Sequence, residues 1–244
     1  MFTRLKRHPF PVVAHFDRVM AVSFALPEEV LAPLVPEPLK IDTWEGLGFV
    51  TAALVWTRGL RPAAMPGFLG RDFFLAGYRV FVRARDHDGR RLRGLRILRS
   101  ETDRRLMATA GNLLTHYNYR TIRLEESPGN VRTIRPNGTV TLDLRYDPDA
   151  AADLPEGSPF PDWRTARRFA GPMPFTFDLE SPGKIVAIEG RRADWTPRPC
   201  RVDSCELSLF EEKPFHGTTP VLANAFAVED IDYRWERGRL LQAP

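Results

Sequence analysis

Phe73-Phe74-Leu75-Ala76-Gly77-Tyr78-Arg79-Val80-Phe81-Val82-Arg83-Ala84-Arg85 alternates along its length. The even positions, Phe74, Ala76, Tyr78, Val80, Val82 and Ala84, form an unbroken apolar face. The odd positions, Phe73, Leu75, Gly77, Arg79, Phe81 and Arg83, are mixed. Period-two patterning over this length predicts a long strand with one face in a core. Asp86-His87-Asp88-Gly89 then reads as a hairpin turn, and Leu92 to Ser100 returns as its partner. Working outward, Val12 to Leu26 is a long strand rich in Val, Phe and Ala. Gly46 to Arg58 is apolar on both faces and so lies deep in a sheet. Further strands fall at Tyr119 to Leu124, Val131 to Arg135 and Thr139 to Tyr146, the last two joined by Asn137-Gly138. Four more follow at Phe175 to Leu179, Ile185 to Arg192, Val202 to Phe210 and Ala223 to Trp235. Short helices are expected after Pro27-Glu28-Glu29, over Thr102 to Tyr117, and over Asp162 to Phe169. The expected class is α+β, mostly antiparallel β, with two or three short helices. Residues 1–244 read as a single domain, because β pattern lies on both sides of the acidic, proline-broken stretch 147–161.

Charge argues against one class of partner. The 244 residues carry a net charge of +4, but the arginines are interleaved with acids, as in Arg83-Ala84-Arg85-Asp86 and Glu101-Thr102-Asp103-Arg104-Arg105. A nucleic-acid binder gathers its basic residues on one face, so no nucleic acid is expected. The N-terminus lacks an apolar signal core. The longest apolar stretch, Leu47 to Trp56, is about half of the ~20 residues a membrane helix needs. No membrane association is expected, and the expected location is the cytoplasm, with Cys200 and Cys205 reduced. Cys-x4-Cys without a second ligand pair is no metal signature, and the five histidines lack metal spacing, so no metal is expected. His15 and Asp17 share a strand face with nothing adjacent to complete a ligand set. No phosphate loop, dinucleotide fingerprint or Gly-x-Ser-x-Gly elbow is present, so no cofactor is expected.

The helix after Ser100 carries Leu106, Ala110, Leu113 and Tyr117 at helical spacing, with Ser100 or Thr102 able to cap it. Beside that stripe runs a polar one: Arg105, Thr109, Asn112 and His116. It is either a solvated flank or a pocket wall.

Leu26-Pro27-Glu28-Glu29-Val30-Leu31-Ala32-Pro33-Leu34-Val35-Pro36-Glu37-Pro38-Leu39 resembles the opening of a bacterial family, the YqjF-like proteins. The resemblance continues through Phe73 to Arg83, Gly94-Leu95-Arg96-Ile97-Leu98 and Arg105 to Asn112, ending at His116-Tyr117-Asn118-Tyr119. That family is similar in fold to acetoacetate decarboxylase. The resemblance implies a closed, cone-like or barrel-like antiparallel sheet around a cavity, often in a homo-oligomer. It also implies, for decarboxylases of this fold, a Schiff-base lysine with a lowered pKa. Counted from Gly111-Asn112-Leu113, that lysine falls near Tyr119, and no lysine lies between Lys40 and Lys184. Lys40 or Lys184 would have to reach in from another strand.

The candidate ligand-binding residues are therefore Arg79, Glu101, Asn112, His116 and Tyr119. His116 is the candidate general base. Arg79 either holds a carboxylate bidentately or covers apolar surface with its stem. Three readings stay open. One is a small-molecule, carboxylate-binding protein or enzyme without Schiff-base chemistry. Another is a non-enzymatic carrier or sensor with a lipocalin-like pocket. The third is a scaffold whose cavity is filled by its own side chains.

Overall fold

The alternating segment becomes one stave of a sheet that closes on itself. The computed structural model describes residues 2–147, 150 and 153–241. In chain order the strands are β1 (Val12–Pro27), β2 (Lys40–Ile41), β3 (Leu47–Pro62), β4 (Arg71–Arg85), β5 (Arg91–Thr102), β6 (Tyr119–Thr121), β7 (Arg123–Ser127), β8 (Asn130–Ile134), β9 (Val140–Asp147), β10 (Phe175–Ser181), β11 (Lys184–Arg192), β12 (Arg198–Pro199), β13 (Arg201–Leu207), β14 (Val221–Trp235) and β15 (Arg239–Leu241). Three short helices accompany them: α1 (Glu28–Leu31), α2 (Arg105–Leu114) and α3 (Trp163–Ala170).

Neighbouring strands run β14-β1-β3-β4-β5-β10-β11, and β11 pairs with β14 again to complete a ring. All these pairings are antiparallel except β5 with β10. A second sheet, β13-β9-β8-β7, lies outside it. The chain changes sheets at Ile122, so the segment expected as one strand over Tyr119 to Leu124 is two.

Both faces of the ring are covered, which is why β1 and β3 are buried over eight consecutive residues each. The even face of β4 packs outward into the main core. There Phe74, Tyr78, Val80 and Val82 meet Val131, Leu142 and Leu144 of the second sheet. Each such buried side chain contributes roughly 1.5–3 kcal/mol. Inside the ring, Phe49, Phe81, Leu95, Phe160 and Met173 pack with Ala166 and Ala170 of α3 and plug one end.

Two details of register position the inner face of β5 and helix α2. Tyr78 pairs with Arg99 but Arg79 pairs with Ile97, so Leu98 is an extra residue on β5. This bulge reverses which face the residues beyond it occupy. Helix α2 also begins later than its sequence suggests. β5 extends to Thr102, and the helix starts after Arg104 without a side-chain cap.

The parallel seam closes tightly at Gly94. A Cβ there would lie 2.5 Å from the Phe175 carbonyl oxygen and 2.5 Å from the Phe177 ring. Gly94→Val should therefore destabilise the fold by about 1–3 kcal/mol. The check is a lower urea midpoint at unchanged slope; an unchanged midpoint would show that the seam has slack.

Candidate functional site

The inner face of the ring carries a row of small residues. Ala21, Ala53, Gly77 and Ser100 are register partners across β1, β3, β4 and β5. Small side chains here leave space open inside the ring that larger ones would fill. The result is a cavity of about 310 Å³. Its walls are mainly apolar, with Phe16, Val19, Val55, Leu75, Phe226 and Trp235 among them.

Arg79 stands in the next row, between Thr51 and Ile97. Its guanidinium folds back over Gly77, where a Cβ would sit 3.0 Å from Nε and 3.1 Å from Nη2. Any side chain at residue 77 would displace it. Arg79 makes no hydrogen bond and no ion pair among the described residues, and its Nε is buried without a partner. Burial lowers its pKa, and the phenols of Tyr233, Tyr119 and Tyr117 are its electrostatic neighbours. The cavity-lining residues include no Asp, Glu or Lys.

Tyr119 reaches this place through a local clamp. Asn112 Nδ2 donates to the Tyr119 carbonyl at 2.9 Å, and Tyr119 N donates to Asn112 Oδ1 at 2.8 Å. Gly111 leaves the gap into which the Tyr119 ring packs, since a Cβ there would lie 2.4 Å from it. Burial pushes the Tyr119 phenol up to about 12, against the pull of Arg79. Burial also raises Tyr117 and Tyr233, so all three phenols are neutral donors at neutral pH. Tyr117 Oη has no partner.

The structure thus brings Arg79 and Tyr119 together and places Glu101, Asn112 and His116 elsewhere. Helix α2 turns Met107, Ala110, Gly111 and Leu114 to the cavity, and not the polar stripe of Arg105, Thr109, Asn112 and His116. Asn112 is exposed and acts on the cavity only by holding Tyr119. His116 lies in the turn after the helix, outside the lining, with Nε2 buried and unpartnered.

Glu101 faces outward because of the bulge at Leu98. Ser100 takes the inner face in its stead. Fully buried between the sheets, Glu101 accepts from Tyr78 Oη at 3.0 Å and Thr141 Oγ1 at 2.7 Å, with Arg99 Nε at 3.6 Å. Arg99 in turn holds Glu212 at 2.8 Å.

Other lining residues carry no signal in the linear pattern. His8 has its Nδ1 buried without a partner, and burial lowers its pKa. Arg192 donates to the Pro172 carbonyl at 3.2 Å and lies 4.8 Å over the Trp195 ring. Tyr233 stacks in an aromatic group with Phe16 and Trp235. Arg192 and Tyr233 are register partners in the β11–β14 closure, which joins residues far apart in the chain.

Among the described residues, one group has metal-ligand spacing, Asp86, His87 and Asp88 in the β4–β5 hairpin. Asp86 Oδ1 is already engaged there by the backbone N–H groups of Asp88 and Arg90. Both cysteines are free. Burial pushes the Cys200 thiol up to about 11 and the Cys205 thiol up to about 12, which makes them poor nucleophiles. Among the described residues, no helix is long and apolar enough to cross a membrane.

The cavity lining thus holds two arginines, Arg79 without a partner and Arg192 engaged by Pro172 and Trp195, and no lysine. The model of the family described as "Uncharacterized conserved protein (COG2071)", DUF2071, matches residues 14–229. The chain belongs to the DUF2071 family. No curated protein sequence matches it. Among solved structures it is similar to the acetoacetate decarboxylase of Legionella pneumophila subsp. pneumophila str. Philadelphia 1. The TM-score is 0.61 at 12% identity, over 96% of this chain and 88% of that one. It is also similar to an acetoacetate decarboxylase-like enzyme from Sphingomonas wittichii RW1, with TM-score 0.60, 14% identity, and 98% and 96% of the two chains covered. The enduracididine biosynthesis enzyme MppR complexed with pyruvate gives 0.60 at 13% identity, over 96% and 91%. The fold is therefore acetoacetate decarboxylase-like.

In this DUF2071 chain the lysines lie away from the cavity. Lys40 is exposed and pairs with Glu37; Lys184 and Lys213 are exposed. Lys6 is absent from the lining.

Two measurements check this assignment of roles. Glu101→Leu removes the acid that faces Arg99 and should cost about 3–5 kcal/mol, read by urea unfolding. A near-neutral result would mean that the Arg99–Glu212 pair suffices. The five tyrosines, Tyr78, Tyr117, Tyr119, Tyr146 and Tyr233, all have raised pKa values. Their contribution to stability is full below the unfolded value of about 10 and is lost as pH rises above it. Tyrosinate absorbance should therefore stay low at pH about 10 and rise together with loss of the circular dichroism signal. A titration near the ordinary phenol pKa in the folded protein would contradict the buried phenol cluster.

Proposed function

We propose that this protein binds a small carboxylate inside its ring and, if it is an enzyme, works without a Schiff base. One observation carries the reading: the Arg79 guanidinium lies unpaired inside a cavity lined by neither lysine nor carboxylate. An unpaired buried charge is costly. A carboxylate ligand relieves that cost, because its two oxygens match the guanidinium fork. Tyr117 and Tyr119 add neutral hydrogen-bond donors. MppR, similar in fold, has a structure with pyruvate, which supports a carboxylate as the class of ligand.

A non-enzymatic carrier or sensor is the second reading. It is favoured by the dearth of titratable groups in the lining, where His8 is the single residue suited to act as a base near neutral pH. In either case we place the protein in the cytoplasm, apart from nucleic acid, because its arginines are interleaved with acids. The exposed Met65, Phe68 and Leu69 suit contact between copies in a homo-oligomer.

Borohydride reduction with pyruvate or acetoacetate should leave the intact mass unchanged; an adduct on any lysine would overturn the Schiff-base-free mechanism. Small carboxylates should raise the melting temperature of the native protein but not that of Arg79→Ala. Binding without turnover would select the carrier, and product formation the enzyme.

A further inference from the structure

The cavity is far larger than a short keto acid, and its walls differ in character from one part to another. The charge is confined to the neighbourhood of Arg79. Arg192, the other lining arginine, is already engaged by the Pro172 carbonyl and the Trp195 face. With no Asp or Glu in the lining, an ammonium group would find no counter-charge, so amines and amino-acid zwitterions fit poorly.

The remaining wall is hydrocarbon. Val19, Val55 and Phe16 belong to one buried apolar cluster, with Leu75 and Trp235 packed against it, and all five line the cavity. A volume of about 310 Å³ corresponds to about ten water-sized units. Acetate or pyruvate would satisfy Arg79 and leave most of that apolar surface uncovered.

We infer that the ligand is a monocarboxylate with an apolar tail, aliphatic or aryl, of about six to ten carbon atoms. The head group lies on Arg79 among the phenols of Tyr117 and Tyr119. The tail lies along Val19, Val55 and Leu75, and these side chains set the accepted length. This inference rests on the Arg79 reading above and adds the tail to it.

The test is calorimetric titration of the native protein with straight-chain monocarboxylates from acetate to dodecanoate, and with 3-phenylpropanoate. Affinity should rise about threefold to fourfold per added methylene until the cavity is full, then level off or fall. Octanamide should bind at least about tenfold more weakly than octanoate, because a neutral head loses the charge-assisted contact. Leu75→Trp, checked for an unchanged circular dichroism spectrum, should move the optimum to shorter chains. The chain-length series and the amide comparison need no variant, so a misfolded Leu75→Trp would leave the test intact.

Binding confined to pyruvate and acetoacetate, with no gain per methylene, would overturn the tail and leave the Arg79 reading standing. A preference for dicarboxylates would also overturn the tail. If no carboxylate binds, or if octanamide matches octanoate, the Arg79 reading falls and the tail with it.

Discussion

An arginine without a partner, held inside a closed apolar ring, is the constraint around which this structure is arranged. Almost every other partly buried arginine here meets an acid or a carbonyl: Arg7 meets Glu180, Arg93 meets Asp42, and Arg99 meets Glu212. Arg79 meets phenols and a glycine. It can lie there because Gly77 gives the guanidinium a surface to lie on. Ala21, Ala53 and Ser100 keep the space beside it open. The same four residues thus account for both the cavity and the position of its charge.

The bulge at Leu98 separates two kinds of polar chemistry on one strand. Before it, Leu95 and Ile97 face the cavity; after it, Ser100 does, and Arg99 and Glu101 turn to the second sheet. Without the extra residue, unbroken alternation would carry Arg99 and Glu101 inward. Glu101 would then stand among the inner-face residues with Arg79, and the charge would be compensated from within the protein. The bulge keeps the acid on the structural side, where Tyr78, Thr141 and Arg99 use it.

Much of this is legible in the chain. The alternation from Phe73 to Arg85, with its mixed odd face, gives β4 its two environments, and Arg79 stands out on the mixed face. The hairpin at Asp86 to Gly89 and the doubly apolar β3 follow from local pattern. Other features have no local signal. The bulge adds one residue without any glycine or proline to mark it. The β5–β10 and β11–β14 pairings join segments about 80 and 40 residues apart, a distance over which local pattern carries no information on pairing. Arg192 and Tyr233 are brought together by that closure, and His8 by backbone hydrogen bonds to Leu114 and Gly238. The polar stripe on α2 misleads for a related reason. A helix packed over an apolar cavity turns its small and apolar residues to it, so Met107, Ala110 and Leu114 form the wall. Asn112 spends its amide on the backbone of Tyr119.

Tyr119 lies near the position that the family resemblance gives to a lysine. A lysine serves covalent chemistry in a cavity of this kind only if its amine is free, which requires desolvation and a nearby cation. Both conditions exist here: the site is buried and Arg79 is close. Tyr119 is a phenol, which the same burial drives the other way, to a pKa of about 12. A neutral phenol cannot form a Schiff base, but it can donate a hydrogen bond to an anion. An environment that lowers the pKa of an amine thus keeps a phenol protonated. The cavity and its positive charge depend on the small-residue row and on Arg79, and neither needs an amine at residue 119.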